Sequence, residues 1–162
     1  MPEFPPAAQV LLNLGVPYQI FRHLEPVNSL EQAARERGQM PDQVIRSILF
    51  RNGEDSFVMV LIAGPEQISW PKLRAHLGQS RLTMATEEEV LANTGYRIGA
   101  VSPFGLPRPM RMLADENVFT HADISIGSGQ RGTAIILKSL DLRSTLGNIE
   151  VGQFANIKSP NS

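Results

Sequence analysis

The chain alternates between segments with one apolar face and short breaks rich in glycine, proline or polar residues. Residues 7–15, AAQVLLNLG, have the spacing of an amphipathic helix, and residues 16–24, VPYQIFRHL, alternate like a strand. Ser29 with Gln32 three residues later matches a capping box, and Gly38 ends the helix that this box begins. This part of the chain therefore predicts two helices with a strand between them.

Two long apolar runs follow, and they predict a central hairpin. QVIRSILFR (43–51) and SFVMVLIAG (56–64) are rich in β-branched residues. The NGED segment between them contains Asn-Gly, which is typical of a tight hairpin turn.

The second half of the chain predicts three more helices and four short strands. The helices are WPKLRAHLG after Ser69, EEVLANTG after a capping box of Thr86 and Glu89, and LDLRSTLG after Ser139. The strands are 81–85, 111–115, 123–127 and 133–138, and residues 153–162 are expected to fray. Helices that interleave with hairpins and lone strands favour a mixed sheet over a purely parallel one.

Length and composition predict one folded domain over residues 1–162. The chain has 42% hydrophobic and 19% charged residues, which is ordinary for a globular protein. No apolar run approaches the roughly 18 residues that cross a bilayer, and the start lacks the pattern of a secretory signal. We therefore expect a cytoplasmic protein without a membrane partner.

The supply of reactive side chains narrows the possible chemistry. The absence of cysteine excludes a thiolate nucleophile or a thiolate metal site from this chain. The three histidines show no metal-ligand spacing, so we expect no metal and no cofactor. A net charge of -1 argues against a protein that coats nucleic acid, but it allows a local basic patch for one end of an RNA.

GSGQRG, residues 127–132, formally matches a dinucleotide-binding fingerprint. That fingerprint needs a helix after it, whereas the β-branched run TAIILK follows here. We interpret the segment as a tight hairpin loop that could place Arg131 and main-chain N–H groups at the edge of a pocket.

The segment GYRIGAVSPFGLPRPMRML, residues 95–113, is sharply bent and poor in acid and base groups. The overlapping stretch TGYRIGAVSPFGL (94–106) resembles the YbaK family of prolyl-tRNA-synthetase-associated editing domains, whose free-standing members deacylate mischarged tRNA. The resemblance extends in the same order through DQVIRSILFRNG (42–53), WPKLRAHLG with QSRLTMATEEEV (70–90), and GSGQRGTAIIL (127–137).

This resemblance implies an α+β fold, a mixed β-sheet curled into a pseudo-barrel with packed helices, and a pocket bordered by the glycine-rich segment. The implied function is that of a trans-editing aminoacyl-tRNA deacylase. Its partners would be the 3′ end and acceptor stem of an aminoacyl-tRNA, with an aminoacyl-tRNA synthetase as a further candidate.

The resemblance also assigns candidate site residues. Catalytic roles fall to Arg46, which would anchor the terminal nucleotide or ester, and to main-chain N–H groups at Gly99 and Ala100 that would approach the carbonyl. Substrate-binding candidates are His23, Ser102, Pro103, Phe104, Gly105, Ser128 and Gly129. Candidate contacts to RNA phosphates are Arg97, Arg108, Arg111 and Arg131.

Three positions depart from the family pattern. Arg46 stands where the family usually has lysine, so the positive charge survives but proton transfer becomes unfavourable. His23 replaces an aromatic residue, and Ala134 replaces an acidic one. A non-catalytic module that binds aminoacyl-tRNA or a synthetase therefore stays open beside the deacylase, as do the amino acid and the tRNA.

Overall fold

The computed structural model describes residues 4–156, and these form an α+β fold. Its helices are α1 (Pro6–Leu14), α2 (Leu30–Glu36), α3 (Trp70–Leu77), α4 (Glu87–Thr94) and α5 (Ser139–Leu146). Its strands are β1 (Gln19–Arg22), β2 (Ile45–Asn52), β3 (Phe57–Ala63), β4 (Gln67–Ile68), β5 (Leu82–Met84), β6 (Arg111–Asp115), β7 (Asp123–Gly127), β8 (Thr133–Lys138), β9 (Glu150–Gly152) and β10 (Ala155–Asn156). Among these described residues, no helix combines the length and apolar character needed to span a membrane.

Local capping explains where the helices begin. At α4 the predicted capping box is complete, because Thr86 Oγ1 accepts from the Glu89 N–H and Glu89 Oε1 accepts from the Thr86 N–H. At α2 only half of the box forms: Ser29 Oγ accepts from the Gln32 N–H, but the Gln32 side chain accepts from Asn28 instead.

The largest sheet has five strands in the order β5-β2-β3-β6-β9. The predicted hairpin pairs β2 with β3 in antiparallel register, whereas β3–β6 and β6–β9 are parallel, so the sheet is mixed as predicted. A second, antiparallel sheet has the order β1-β8-β7, and its β7–β8 hairpin confirms the predicted hairpin loop, which spans residues 128–132 after Gly127 ends β7.

The two sheets come together where a parallel bridge pairs Val44 with Ser125. Within residues 4–156 the hydrogen-bonded sheets do not close into one barrel, so the pseudo-barrel stays a prediction.

β3 is buried on both faces, which explains its nearly continuous apolar sequence. Met59 and Leu61 pack in a core shared with α1, β7 and β8. Val58 and Val60 pack on the opposite face, in a second core with Phe50, Leu73 and Phe154. The sheet therefore separates two apolar layers, and the first of these adjoins the site described below.

The C-terminal prediction was wrong for residues 153–156, while residues 157–162 lie outside the described part. Phe154 is buried, and the N–H groups of Phe154 and Ala155 donate to Asp115 Oδ1 at 2.7 and 2.8 Å. β10 also pairs with β4. Long-range hydrogen bonds thus order a segment whose sequence has weak strand character.

Candidate functional site

A cavity of about 700 Å³, called the main cavity below, lies between β2, the β7–β8 loop and the segment 98–101. Valine, isoleucine and leucine side chains form much of its wall. Its polar lining consists of His23, Arg37, Arg46, Ser47, Arg131 and Thr133. Among the described residues, no aspartate or glutamate lines this cavity, so its formal charge is positive.

The cavity exists because one edge of β2 is only partly covered. β5 pairs only with Phe50, Arg51 and Asn52. Leu49 O accepts from the Ala85 N–H at 3.1 Å, and main-chain groups alternate in direction along a strand, so those of Ser47 also point away from β3. The Ser47 hydroxyl oxygen is buried and has no hydrogen-bond partner among residues 4–156. The cavity wall at β2 therefore includes one buried hydroxyl without a partner.

The segment 98–101 is held against the end of β7 by a close main-chain approach. A Cβ atom at Gly127 would lie 1.9 Å from the Val101 carbonyl oxygen, so only glycine fits there. The Gly129 N–H donates to the Ala100 carbonyl at 2.9 Å, which fastens the same segment to the β7–β8 loop. These contacts place Gly99 in the cavity wall.

Arg46, on β2, lines the main cavity. Part of its guanidinium group is hydrogen-bonded to main-chain carbonyls. Its Nε donates to the Gly64 carbonyl at 2.9 Å, and Nη2 donates to the Glu66 carbonyl. Burial lowers the pKa of the guanidinium, and no carboxylate forms an ion pair with it within residues 4–156. Arg46 is thus a fixed cation that keeps N–H donors to spare.

His23 lies in a chain of hydrogen bonds that sequence reasoning did not predict. Arg37 Nε donates to His23 Nε2 at 3.1 Å, so Nδ1 carries the ring proton and donates to Glu36 Oε1 at 2.7 Å. Arg37 Nη1 also donates to Ser125 Oγ at 2.9 Å. Both ring nitrogens of His23 are therefore occupied, and its side chain is only 1% exposed, so little of the ring is left for a ligand.

Several predicted substrate-binding residues support the site without lining it. Ser102, Pro103 and Phe104 are buried, and the Phe104 carbonyl accepts from the Tyr96 hydroxyl. The Ser128 hydroxyl donates to the Thr133 carbonyl at 2.7 Å. Gly105 and Gly129 pack against Tyr96. None of these six predicted residues lines the main cavity, so their direct contact with substrate stays a prediction that this geometry does not support.

The main-chain N–H of Ala100 is already used within the protein. Its N–H donates to the Arg97 carbonyl at 3.0 Å in a local turn, so it is not available to a ligand in this conformation. The Gly99 N–H, by contrast, has no acceptor among residues 4–156. Of the two main-chain donors assigned to catalysis, Gly99 is the one that fits.

The sequence of this chain matches a known protein family. Residues 24–145, most of its length, match the family model described as the aminoacyl-tRNA editing domain. The chain belongs to this family. The match confirms the resemblance to YbaK-like editing domains, and the editing domain here includes β2, the segment 98–101 and the β7–β8 loop.

Similar proteins agree with that assignment. A proline–tRNA ligase from Kosmotoga olearia is 37% identical over 106 residues, which are 65% of this chain and 18% of the ligase. One from Brachyspira hyodysenteriae is 32% identical over 136 residues, 83% of this chain and 22% of the ligase. The chain spans about a fifth of the length of these curated relatives.

A crystal structure reported for a candidate trans-editing enzyme for prolyl-tRNA synthetase has the same fold. Its TM-score is 0.85 at 22% identity, and the alignment covers 94% of this chain and 96% of that chain. The likeness extends over nearly all of both chains, which confirms the predicted α+β architecture.

The four arginines assigned to RNA phosphates do not form one group on the editing domain. Arg131 lines the main cavity and donates to the Ile98 carbonyl from Nε and Nη2, while Arg97 is exposed on the same segment. Arg108 lines a separate groove of about 410 Å³ with Pro103. Arg111 forms a bidentate ion pair with Glu150 at 2.7 and 2.9 Å, so its contact with RNA stays a prediction that this pairing makes less favourable.

Proposed function

We propose that this editing domain hydrolyses the ester bond of a mischarged aminoacyl-tRNA in trans. The observation that carries the proposal is that Arg46 and Gly99, which come from distant parts of the sequence, line one cavity. The family and the proline–tRNA ligase relatives support a charged tRNA as the substrate class. The proposal keeps the predicted cytoplasmic location.

Positioning and electrostatics would carry most of the chemistry, because an aminoacyl ester is already an activated bond. Water attacks the carbonyl carbon, and the bond to the ribose oxygen then breaks. The Gly99 N–H donates to the developing oxyanion. Arg46 holds the ester or the terminal phosphate with the N–H groups that Gly64 and Glu66 leave unused.

The proton acceptor would come from the substrate rather than from this chain. No carboxylate among the described residues lines the main cavity, and both nitrogens of His23 are engaged. A guanidinium is a poor base at neutral pH. A hydroxyl of the terminal ribose therefore orients the water, and the departing ribose oxygen takes the final proton.

Selection among amino acids would be mainly steric. The apolar wall of a 700 Å³ cavity excludes groups that are too large, but one methylene changes binding by only about 1–3 kcal/mol. Arg97 and Arg131 stand on the neighbouring surface, where they can meet acceptor-stem phosphates.

A panel of aminoacyl-tRNAs tests the proposal. Wild-type protein should accelerate ester loss from at least one of them. Arg46→Ala should reduce that rate about 100-fold, whereas Arg46→Lys should keep much of it because the charge remains. Arg35→Ala, on the exposed face of α2, is the matched control and should act like wild type. Ester loss no faster than in buffer across the whole panel would exclude the deacylase.

The missing base favours one second candidate, a module that binds aminoacyl-tRNA without hydrolysing it. Tight, Arg46-dependent binding with no ester loss in the same panel would identify such a module. A synthetase that binds alongside is a further partner under either function.

A further inference from the structure

Arg37 is a partly buried cation that the proposed reaction does not use. It follows α2 directly, lines the main cavity, and burial lowers its pKa to about 10. Among residues 4–156 its hydrogen bonds go to neutral acceptors, the imidazole of His23 and the hydroxyl of Ser125. No carboxylate contacts it directly, because the His23 ring stands between Arg37 and Glu36.

A guanidinium in this situation is unfavourable unless something compensates it. Taking a charge out of water is costly, and an ion pair normally offsets that loss. Arg37 uses two of its five N–H groups within the protein, which leaves three. The cavity beside it contains Arg46 and Arg131 as well, and no described aspartate or glutamate.

The neighbours of Arg37 also fix its orientation. Glu36 accepts from both His23 Nδ1 and Gln32, and these hydrogen bonds lower the pKa of Glu36. The His23 tautomer is therefore set so that Nε2 faces Arg37 as an acceptor. Ser125, which itself donates to Gln39, holds the other side of the guanidinium.

We infer that Arg37 binds an anionic oxygen group of the ligand, a carboxylate or a phosphate, inside the main cavity, and that His23 and Glu36 position it. This rests on the proposed function for the identity of the cavity. An acidic aminoacyl side chain and the 5′-phosphate of the terminal nucleotide both supply this chemistry. Planar bidentate contact with either one suits the remaining N–H groups of Arg37.

Non-hydrolysable probes separate this inference from the deacylase proposal. They are amides of 3′-amino-3′-deoxyadenosine with aspartate or asparagine, each made with and without a 5′-phosphate, and binding is measured by calorimetry. Wild-type protein should prefer aspartyl over asparaginyl probes, or phosphorylated over unphosphorylated ones, by about tenfold or more. The preferred pair identifies which source of anion Arg37 recognises.

Arg37→Leu should remove that preference, and Arg37→Lys should restore part of it. His23→Phe should weaken it, since the acceptor that orients Arg37 is lost. Arg35→Leu, the adjacent exposed arginine, should retain it in full. Thermal unfolding of each variant identifies any that fail to fold.

No preference in wild-type protein, or a preference that survives Arg37→Leu, overturns the inference even if deacylation is observed. Arg37-dependent binding in a protein that deacylates no tRNA would leave the inference standing and remove only the enzyme. If Arg37→Leu does not fold, the wild-type preference and its reduction in Arg37→Lys decide the matter.

Discussion

Charged side chains have different partners around β6 and β9 than around the main cavity. Around β6 and β9, Arg111 and His76 both contact the carboxylate of Glu150, and His76 also packs edge-on against Phe154. The buried Asp115 accepts three main-chain N–H groups. Around the main cavity, Arg37 and Arg46 have hydrogen bonds but no direct ion pair among the described residues.

This difference separates arginines that build the fold from arginines available to a ligand. A paired guanidinium such as Arg111 has its charge and its fork of donors satisfied. A partly buried guanidinium without a paired carboxylate leaves both its charge and its N–H donors available to a ligand. Arg111 was a candidate RNA contact because it lies near a conspicuous sequence motif. Whether an arginine is paired with a carboxylate is a better guide to its role than such a position.

The sharpest way to test the structural side is to remove Asp115. In Asp115→Ala three N–H groups, those of Asn117, Phe154 and Ala155, lose their acceptor in a buried setting. We expect the free energy of unfolding to fall by about 3 kcal/mol. Urea denaturation measures this, with exposed Glu54→Ala as the control. A loss below about 1 kcal/mol would mean that the C-terminal segment is held by packing alone.

Two glycine substitutions test the structure around the main cavity. Gly127→Ala forces a methyl group against the Val101 carbonyl, so we expect a loss of about 2 kcal/mol together with weaker binding of the aminoacyl-adenosine probes. Gly132→Ala, in the adjoining hairpin loop, also lines the main cavity, but its added Cβ meets nothing within 4 Å and its φ is 72°. Its strain should be about 1 kcal/mol, with binding preserved.

Equal effects of the two glycine variants on probe binding would contradict this account. In that case loop strain, rather than the approach of Val101 to Gly127, would control the cavity wall.

The elements that sequence predicted well are those specified locally. The β2–β3 hairpin follows from two apolar runs and an Asn-Gly turn, and α4 follows from its capping box. β4, β9 and β10 escaped prediction because they have two or three residues each and exist through pairing with distant strands. Nothing within such short segments signals their partners.

The site shows the same division. The family resemblance brought Arg46 and Gly99 to one cavity, but it could not show that the Ala100 N–H is used within a turn. The ion-pair partner of Arg111 is Glu150, 39 residues further along the chain, so local sequence does not reveal it. Arg37 was missed because a cation just before a helix-ending glycine is ordinarily a solvated one. Only the folded chain brings the end of α2 to His23, the residue after β1, through the hydrogen bonds of Glu36 and Arg37.

The smallest expected effect is the pH-dependent contribution of Glu150 to stability. Hydrogen bonds from Arg111, and then from His76, hold the pKa of Glu150 at about 2, below its ordinary value of 4.5. A carboxylate whose pKa is lowered by folding adds stability above the unfolded pKa and loses it as pH falls towards the folded one. Because Glu150 is partly exposed, Glu150→Gln should destabilise by no more than about 1 kcal/mol at pH 7. The difference from wild type should shrink between pH 4.5 and 2, as measured by chemical denaturation at each pH. A Glu150→Gln effect that is constant with pH would assign the contribution to packing rather than to charge.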